Sequence, residues 1–380
     1  MSSVQTMADA APRRASRPLR VMALSAFPVE AAATRFRISQ FVPHLARRGF
    51  EVTVLPFLDG RAFGDLYDRR QSVRTGFRLL GSLLRRFFQL PRIIRADVVF
   101  VQREAMLFGP PLVEWLVSRL ARVPMVLDLD DATWIAVPSP VYGRLATWLK
   151  CAWKANRIIG WSRVVICGNE TIAAHVRSLG VSAVVLSTIV DPEVFRPRDG
   201  GVANAVPVVG WIGTHSTWPY VEALLPVFER LAGRVPFQFR AVGSGHDALE
   251  LPGVTVESSK WSLEREADDF RGLDVGVYPL AEDEWTAGKS GLKAIEYLCS
   301  GVPYVATPAG IAAEIGIPGE THLLARTDDE WLAALESLLR NPDGRRAMAE
   351  AGRRYAVEHY SLEAHADAIA EVLRSAVRTR

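Results

Sequence analysis

With 380 residues, 49% of them hydrophobic and 23% charged, the chain has an ordinary globular composition and room for two cores, which excludes the disordered and fibrous classes. The net charge of +3 hides an asymmetry: residues 1–200 hold 28 Lys and Arg against 16 Asp and Glu, a balance that suits an anionic partner such as phospholipid headgroups or a lipid-linked phosphate, or else a solvated arginine-rich surface. Nucleic acid ranks lowest, because no recognition module interleaves with the basic residues, and the three cysteines, Cys151, Cys167 and Cys299, form no close pair, which argues against a disulfide framework and a zinc site and fits a reducing cytoplasm.

In chain order, residues 1–17 carry Arg13, Arg14 and Arg17 with no apolar stretch behind them, so a disordered tail is expected and a secretory signal is not. Strands are expected at 19–25, 51–56, 97–102, 124–128, 163–167 and 183–187, with amphipathic helices between them. Pro, Gly and Asp then crowd together in PEVFRPRDGGVANAVP, which sets a domain boundary near 195–206. A second series of strands follows at 208–212, 236–242, 254–257, 274–278 and 302–307. Such alternation predicts an α/β chain with two Rossmann-like, doubly wound domains, 18–200 and 201–360, facing a central cleft, and a C-terminal helix over 361–380. No apolar run reaches the roughly 18 residues of a membrane span.

The segment GKSGLKAIEYLCSGVPYVATPAG, residues 288–310, carries the most chemistry. A helix is expected from about 290 to 300, stopped by Gly301, with Leu292, Ile295, Leu298 and Cys299 turned to the sheet. Lys289, Lys293 and Glu296 fall on another face that begins at the helix N-terminus. Backbone N–H groups of Ser290 and Gly291, the helix dipole and the two lysines suit a diphosphate, and Glu296 suits ribose hydroxyls.

At this point the sequence resembles the retaining GT-B glycosyltransferases, the glycosyl transferases of group 1 often called family four. Their signature places a ribose-binding glutamate before a small residue, Gly, an apolar residue, Pro and a strand, and Glu296, Gly301, Pro303 and Val305 match it. SAFPVEAAATRFRISQFVPHLARRGFEVTVLP and VVLSTIVDPEVFRP extend the resemblance over nearly all of the chain after residue 18. It implies a GT-B fold with the acceptor on the N-terminal domain and the donor on the C-terminal one. Two departures stand out. The family's second glutamate, eight residues before the first, is Gly288 here. The Arg and Lys usual after the first strand of the donor domain are replaced by GTHSTWP, in which His215 is the single titratable group. A branch of the family shares this variant, which reads as divergence.

Other segments carry two readings each. In VLDLDDATW, Asp128, Asp130 and Asp131 end a buried strand, where they suit an acceptor or sugar contact, a helix cap or a metal. Asp130 stands where relatives often have a histidine near the reacting sugar; Asp130 and Lys289 are the catalytic candidates. Arg35 and Arg37 suit a phosphate or local acids. Gly213, Thr214, His215 and Ser216 form a phosphate or sugar cradle or a tight turn. VGSGH at 242–246 is a fragment of a dinucleotide fingerprint, and Trp261 covers a nucleotide base or packs on the surface. Residues 73–95, rich in Arg, Leu and Phe without an acid, read as a membrane-surface helix or as one packed on the sheet.

The function expected is transfer of a sugar from a UDP-, GDP- or ADP-sugar to a saccharide or lipid-linked acceptor, with retention carried by the resemblance alone. No cofactor, resident metal or nucleic acid is expected. The location is cytoplasmic, peripheral at the membrane if residues 73–95 bind it. A non-catalytic nucleotide-sugar-binding scaffold, motivated by Gly288, and a nucleotide-sugar epimerase are the alternatives.

Overall fold

The computed structural model describes residues 17–65, 72–136, 148–199, 204–246 and 248–378, without the side chains of 72, 73 and 313. The tail expected over 1–17 lies outside these residues except for Arg17, whose guanidinium pairs with Asp97 at 2.8 Å.

Two six-stranded parallel sheets form the frame. The first runs β2-β1-β3-β4-β5-β6, with β1 Leu19–Ser25, β2 Phe50–Pro56, β3 Val98–Gln102, β4 Met125–Leu129, β5 Val164–Cys167 and β6 Ala183–Val185. The second runs β12-β11-β10-β7-β8-β9, with β7 Val208–Ile212, β8 Gln238–Val242, β9 Thr255–Ser259, β10 Val275–Tyr278, β11 Tyr304–Ala306 and β12 Leu323–Leu324. The two-residue β12, which pairs with β11, was not anticipated from the sequence. Strand order reverses between β1 and β3 in one sheet and between β7 and β10 in the other. Those are the points where loops part at the carboxyl ends of strands and leave a crevice.

One face of the first sheet is covered by the helices Ser72–Ile93, Leu112–Trp115, Lys154–Trp161 and Glu170–Ser178, whose Ile93, Val113, Ile158 and Ile172 share a core with Leu24, Val101 and Leu127. On the other face, Phe36 and Phe41 from the first helical segment join Ile369 and Leu373 of the C-terminal helix Leu362–Arg378 in a core that continues into the second domain. An aromatic chain marks that continuity: Phe36 meets Phe195 of the linker at 5.9 Å, Phe195 meets Phe270 at 5.8 Å, and Phe270 meets Tyr297 at 5.2 Å. Arg48 ties the C-terminal helix to the first domain through Asp367 at 2.6 Å and Glu363 at 2.7 Å.

The helix Ser72–Ile93 divides its side chains in a way the sequence pattern misjudged. Leu79, Leu83 and Leu90 pack inward, while Phe77, Leu80, Leu84 and Phe88 are exposed, Phe88 at 84%. Arg86, expected among the surface arginines, is buried and donates to Leu55 O at 2.8 Å and Ser25 O at 3.3 Å. Burial pushes its guanidinium down to about 10. Carbonyl oxygens at a sheet edge accept a buried cation at less cost than bare apolar surface, which is why this arginine turns in.

Candidate active site

The cleft lies between the carboxyl ends of the two sheets, and each lip is built at a switch point. On the C-terminal side, the chain leaves β7 through Gly213 and the exposed Thr214 and Ser216, whose hydroxyls lie 2.8 Å apart. A side chain at Gly213 would strike the Trp211 ring, and one at Gly243 would strike Gly213 O, so the 213–217 and 242–246 loops lie against each other. Burial lowers the His215 pKa below its ordinary value, so the loop carries no cation at neutral pH.

Beside this loop, beyond β10, Asp283 caps the short helix Glu284–Ala287 through Thr286 N. The chain then passes Gly288, Lys289 and Ser290 to Gly291, whose φ of +66° sets the start of the helix Leu292–Cys299. The helix begins two residues later than expected because a left-handed residue cannot belong to it. Lys289 therefore stands in the preceding loop, where its ammonium rests 3.5 Å from the Trp285 ring centroid. Burial lowers the Lys289 pKa, with Asp131 opposing. The space over Gly288 is taken by Ala132 of the facing domain, and that over Gly291 by Ile311 and Ile315, so both glycines serve close packing.

Glu296 is fully buried one turn into the helix. Its Oε2 accepts from Lys293 Nζ at 2.8 Å, and its Oε1 has no hydrogen-bond partner. Burial pushes the Glu296 carboxyl up to about 7; Lys293 opposes the shift and nearby Glu266 adds to it. A buried carboxylate oxygen without a donor costs on the order of 1–3 kcal/mol, more when charged, unless a ligand supplies one.

The N-terminal lip holds its charges in closed pairs. Arg37 is buried and grips Asp128, with Nη2 at 2.5 Å from Oδ1 and Nε at 3.0 Å from Oδ2, and donates to Leu186 O at 2.8 Å. Asp130 accepts from Arg103 at 2.6 and 2.9 Å and from Gln102 Nε2 at 2.8 Å. Burial works to raise the Asp130 pKa, but Arg103 outweighs it and holds the carboxylate below its usual range. For Asp128, burial wins over Arg37, and for Asp131 over Arg103 and Lys289, so both lie above the usual range. Arg103 adopts a φ of +59° directly after β3, a conformation uncommon for a residue with a side chain. Among the described residues, no group of three or more His, Cys, Asp or Glu is arranged to hold a metal ion.

Several contacts cross the cleft among the described residues. Arg35 Nη2 pairs with Glu266 Oε2 at 2.5 Å, and Glu266 Oε1 accepts from Trp261 Nε1 at 3.0 Å, so the arginine, the acid and the tryptophan form one unit. Asn169, whose Oδ1 caps the helix Glu170–Ser178, donates from Nδ2 to Ala287 O at 3.2 Å and Lys289 O at 2.9 Å. Gly288 abuts Ala132. Of the expected site residues, Lys289, Ser290, Gly291, Lys293 and Glu296 come together at one helix start, whereas Arg37 is committed inside the first domain. Sequence reasoning missed Arg103, Asn169 and Glu266. Arg103 had a signal: it follows the strand expected to end at 102, next to the strand that carries Asp128 and Asp130.

Residues 206–341 match the family model described as Glycosyl transferases group 1. No curated protein matches the chain in sequence. Among solved structures, sucrose-phosphate synthase from Thermosynechococcus elongatus superposes with a TM-score of 0.68 at 15% identity, covering 96% of this chain and 100% of that one. HepE from Anabaena, in complex with UDP and glucose, gives 0.67 at 19% identity over 94% and 100%. AviGT4, a glycosyltransferase involved in avilamycin A biosynthesis, gives 0.58 at 18% identity over 96% and 99%. At these identities the superpositions establish the two-domain GT-B fold. With that fold along its length, the chain carries its match to the model of glycosyl transferases group 1 across its second sheet.

Proposed function

We propose that the protein transfers a sugar, with retention of anomeric configuration, from a nucleoside-diphosphate sugar to a saccharide or lipid-linked acceptor. The observation that carries this reading is Glu296: a buried carboxylate with one oxygen held by Lys293 and the other unpartnered, at the start of a helix opened by Gly291. Ribose hydroxyls would complete that oxygen. The diphosphate would lie at the helix N-terminus, where the first N–H groups have no partner within the helix, with Lys289, Lys293, Ser290 and the 213–216 loop around it. Trp261, fixed by Glu266, is the candidate for the base. The UDP and UDP-glucose complexes of HepE, which has the same fold, favour a uridine nucleotide as the first to test.

In the reaction, the bond from the anomeric carbon to the diphosphate oxygen breaks and its electron pair leaves with the nucleoside diphosphate. The acceptor oxygen bonds to the same face of that carbon, and its proton passes to a departing phosphate oxygen. Stabilising the growing charge on the diphosphate is then the main task of the protein. The Arg103–Asp130 pair orients the sugar or acceptor from the opposite lip. Calorimetry of UDP, GDP and ADP with wild type and Glu296→Gln tests the reading; equal affinities in both proteins would remove Glu296 from the donor site.

We further infer, for the lipid-linked acceptor, reversible attachment to anionic membranes on the cytoplasmic side through the helix Ser72–Ile93. Its exposed Phe77, Leu80, Leu84 and Phe88 alternate with exposed Arg74 and Arg92, and Arg95 follows, which fits apolar insertion beneath anionic headgroups. No helix among the described residues is long and apolar enough to cross a membrane. Because Arg86 is structural, the informative variant is Leu84→Glu with Phe88→Glu. It should lose sedimentation with anionic vesicles at low salt, and sedimentation equal to wild type would mean that this face binds no membrane.

A further inference from the structure

Away from the cleft, at the amino ends of β10 and β11, the second domain contains an open cavity of about 910 Å³. Arg198, Arg271, Arg345, Arg346, Arg353 and Arg354 line it, against the carboxylates Asp274 and Glu350. Carbonyls fix four of these guanidiniums in place, and acids meet three of the six: Asp268 pairs with Arg271, Asp274 with Arg198 at 3.7 Å and Asp343 with Arg346 at 4.0 Å, which leaves an excess of positive charge. Arg353 donates to Phe195 O at 3.0 Å and Cys299 O at 2.7 Å, Arg345 to Leu338 O at 2.8 Å, and Arg198 to Arg271 O at 3.2 Å. Asp274 is itself engaged, since its Oδ2 accepts from Val208 N at 2.8 Å and Asn204 Nδ2 at 2.7 Å. Arg346 and Arg354 stand exposed on the helix Pro342–His359, two turns apart. Ser300, also lining the cavity, is buried and its hydroxyl has no hydrogen-bond partner.

We propose that this cavity binds a small soluble molecule through a phosphoryl or pyrophosphoryl group. Like charges gathered around a concavity raise the local potential for an anion, and the planar donor forks of arginine match the oxygens of a phosphoryl group. The volume falls in the range of about 300–1,000 Å³ found for small-molecule sites. None of the exposed large apolar side chains among the described residues lines the cavity, in contrast to the helix Ser72–Ile93 of the first domain. The ligand would sit on the link between the domains. Arg353 joins the carbonyl of Phe195, in the linker, to the last residue of the helix that carries Lys293 and Glu296.

The test is calorimetric titration of inorganic pyrophosphate into the full chain as wild type, Arg346→Glu with Arg354→Glu, Arg346→Gln with Arg354→Gln, and Lys293→Ala. Thermal unfolding checks that each variant is folded; both arginines are exposed, and the neutral pair guards against a charge-reversed protein that fails to fold. Charge reversal should weaken binding at this cavity at least tenfold and neutralisation less, while Lys293→Ala, which touches the donor site, should leave the arginine-dependent binding in place. Absence of millimolar binding in wild type, equal binding in the arginine variants, or loss confined to Lys293→Ala would overturn the assignment. In a second arm, anionic vesicles replace pyrophosphate: vesicle binding that the arginine variants lose, without pyrophosphate binding in wild type, would assign the phosphoryl group to a lipid and overturn the soluble ligand.

Discussion

On the N-terminal lip of the cleft, Arg37 closes on Asp128 and Arg103 on Asp130, whereas on the C-terminal lip Glu296 keeps one oxygen without a donor and Lys289 rests on a ring. The carboxylates Asp128, Asp130 and Glu296 are all buried, so each has given up water. The N-terminal lip has given Asp128 and Asp130 each a guanidinium partner, with the neutral Gln102 Oε1 left without a donor; the C-terminal lip leaves one oxygen of a buried carboxylate open. Incomplete satisfaction of a buried carboxylate is destabilising by itself, which is the ground for proposing the donor on the C-terminal lip.

The strongest way to break this comparison is to truncate one charge on each lip. Arg37→Ala strands the buried Asp128, and removing one partner of a buried pair typically costs about 3–5 kcal/mol, so urea unfolding should show a large loss of stability. Glu296→Ala should leave stability unchanged or raised, because it removes an acceptor that the protein alone does not satisfy. Its cost should fall on nucleotide affinity, where each lost hydrogen bond to a charged group is worth about 1.5–3 kcal/mol, or roughly a factor of 10 to 150. If both variants lose stability alike, the two lips do not differ in the way described.

A second test uses pH. With its carboxyl pushed up to about 7, Glu296 takes a proton as the medium becomes acidic, and the protonated group accepts ribose hydrogen bonds more weakly. Nucleotide affinity should therefore be highest above pH 7 and fall below it, approaching about tenfold per unit as expected for one proton. Glu296→Gln should show a flatter profile, and a wild-type profile flat from pH 6 to 8 would place the ionisation elsewhere. The smallest effect is expected for Lys289→Ala. Its ammonium makes no ion pair within 4 Å in the described structure, and removing it should weaken a nucleoside diphosphate about tenfold more than the monophosphate, in line with one charge-assisted contact. Equal losses would mean that Lys289 does not reach the distal phosphate.

The helix start around Glu296 was legible from the sequence because its parts lie within a dozen residues. Glycine, lysine and an apolar stripe at helical spacing describe one local object, and only its first turn was misjudged, since Gly291 takes a positive φ where Ile311 and Ile315 lie close above it. Arg86 was misread for a related reason. Periodicity identifies the two faces of a helix such as Ser72–Ile93, but which arginine meets a carbonyl depends on where β1 and β2 end beneath it. Arg37, offered for a phosphate, is spent on Asp128, 91 residues away.

By itself, the sequence determined two runs of buried strands with helices between them, and hence two parallel sheets whose carboxyl ends carry the polar loops. It also determined that Lys293 and Glu296, three residues apart, share one face of the same helix. Those features follow from backbone periodicity, which acts over a few residues and needs no knowledge of the fold. Only the tertiary structure decided that Arg103 neutralises Asp130, that Asn169 ties the first domain to the loop of Lys289, and that Arg35 reaches Glu266 across 231 positions of chain. Each of these depends on strand order and on how the two sheets face each other. Alternation of hydrophobic residues says that a strand is buried but not which strand lies beside it, so the partners of a charge at its end are settled when the sheets assemble.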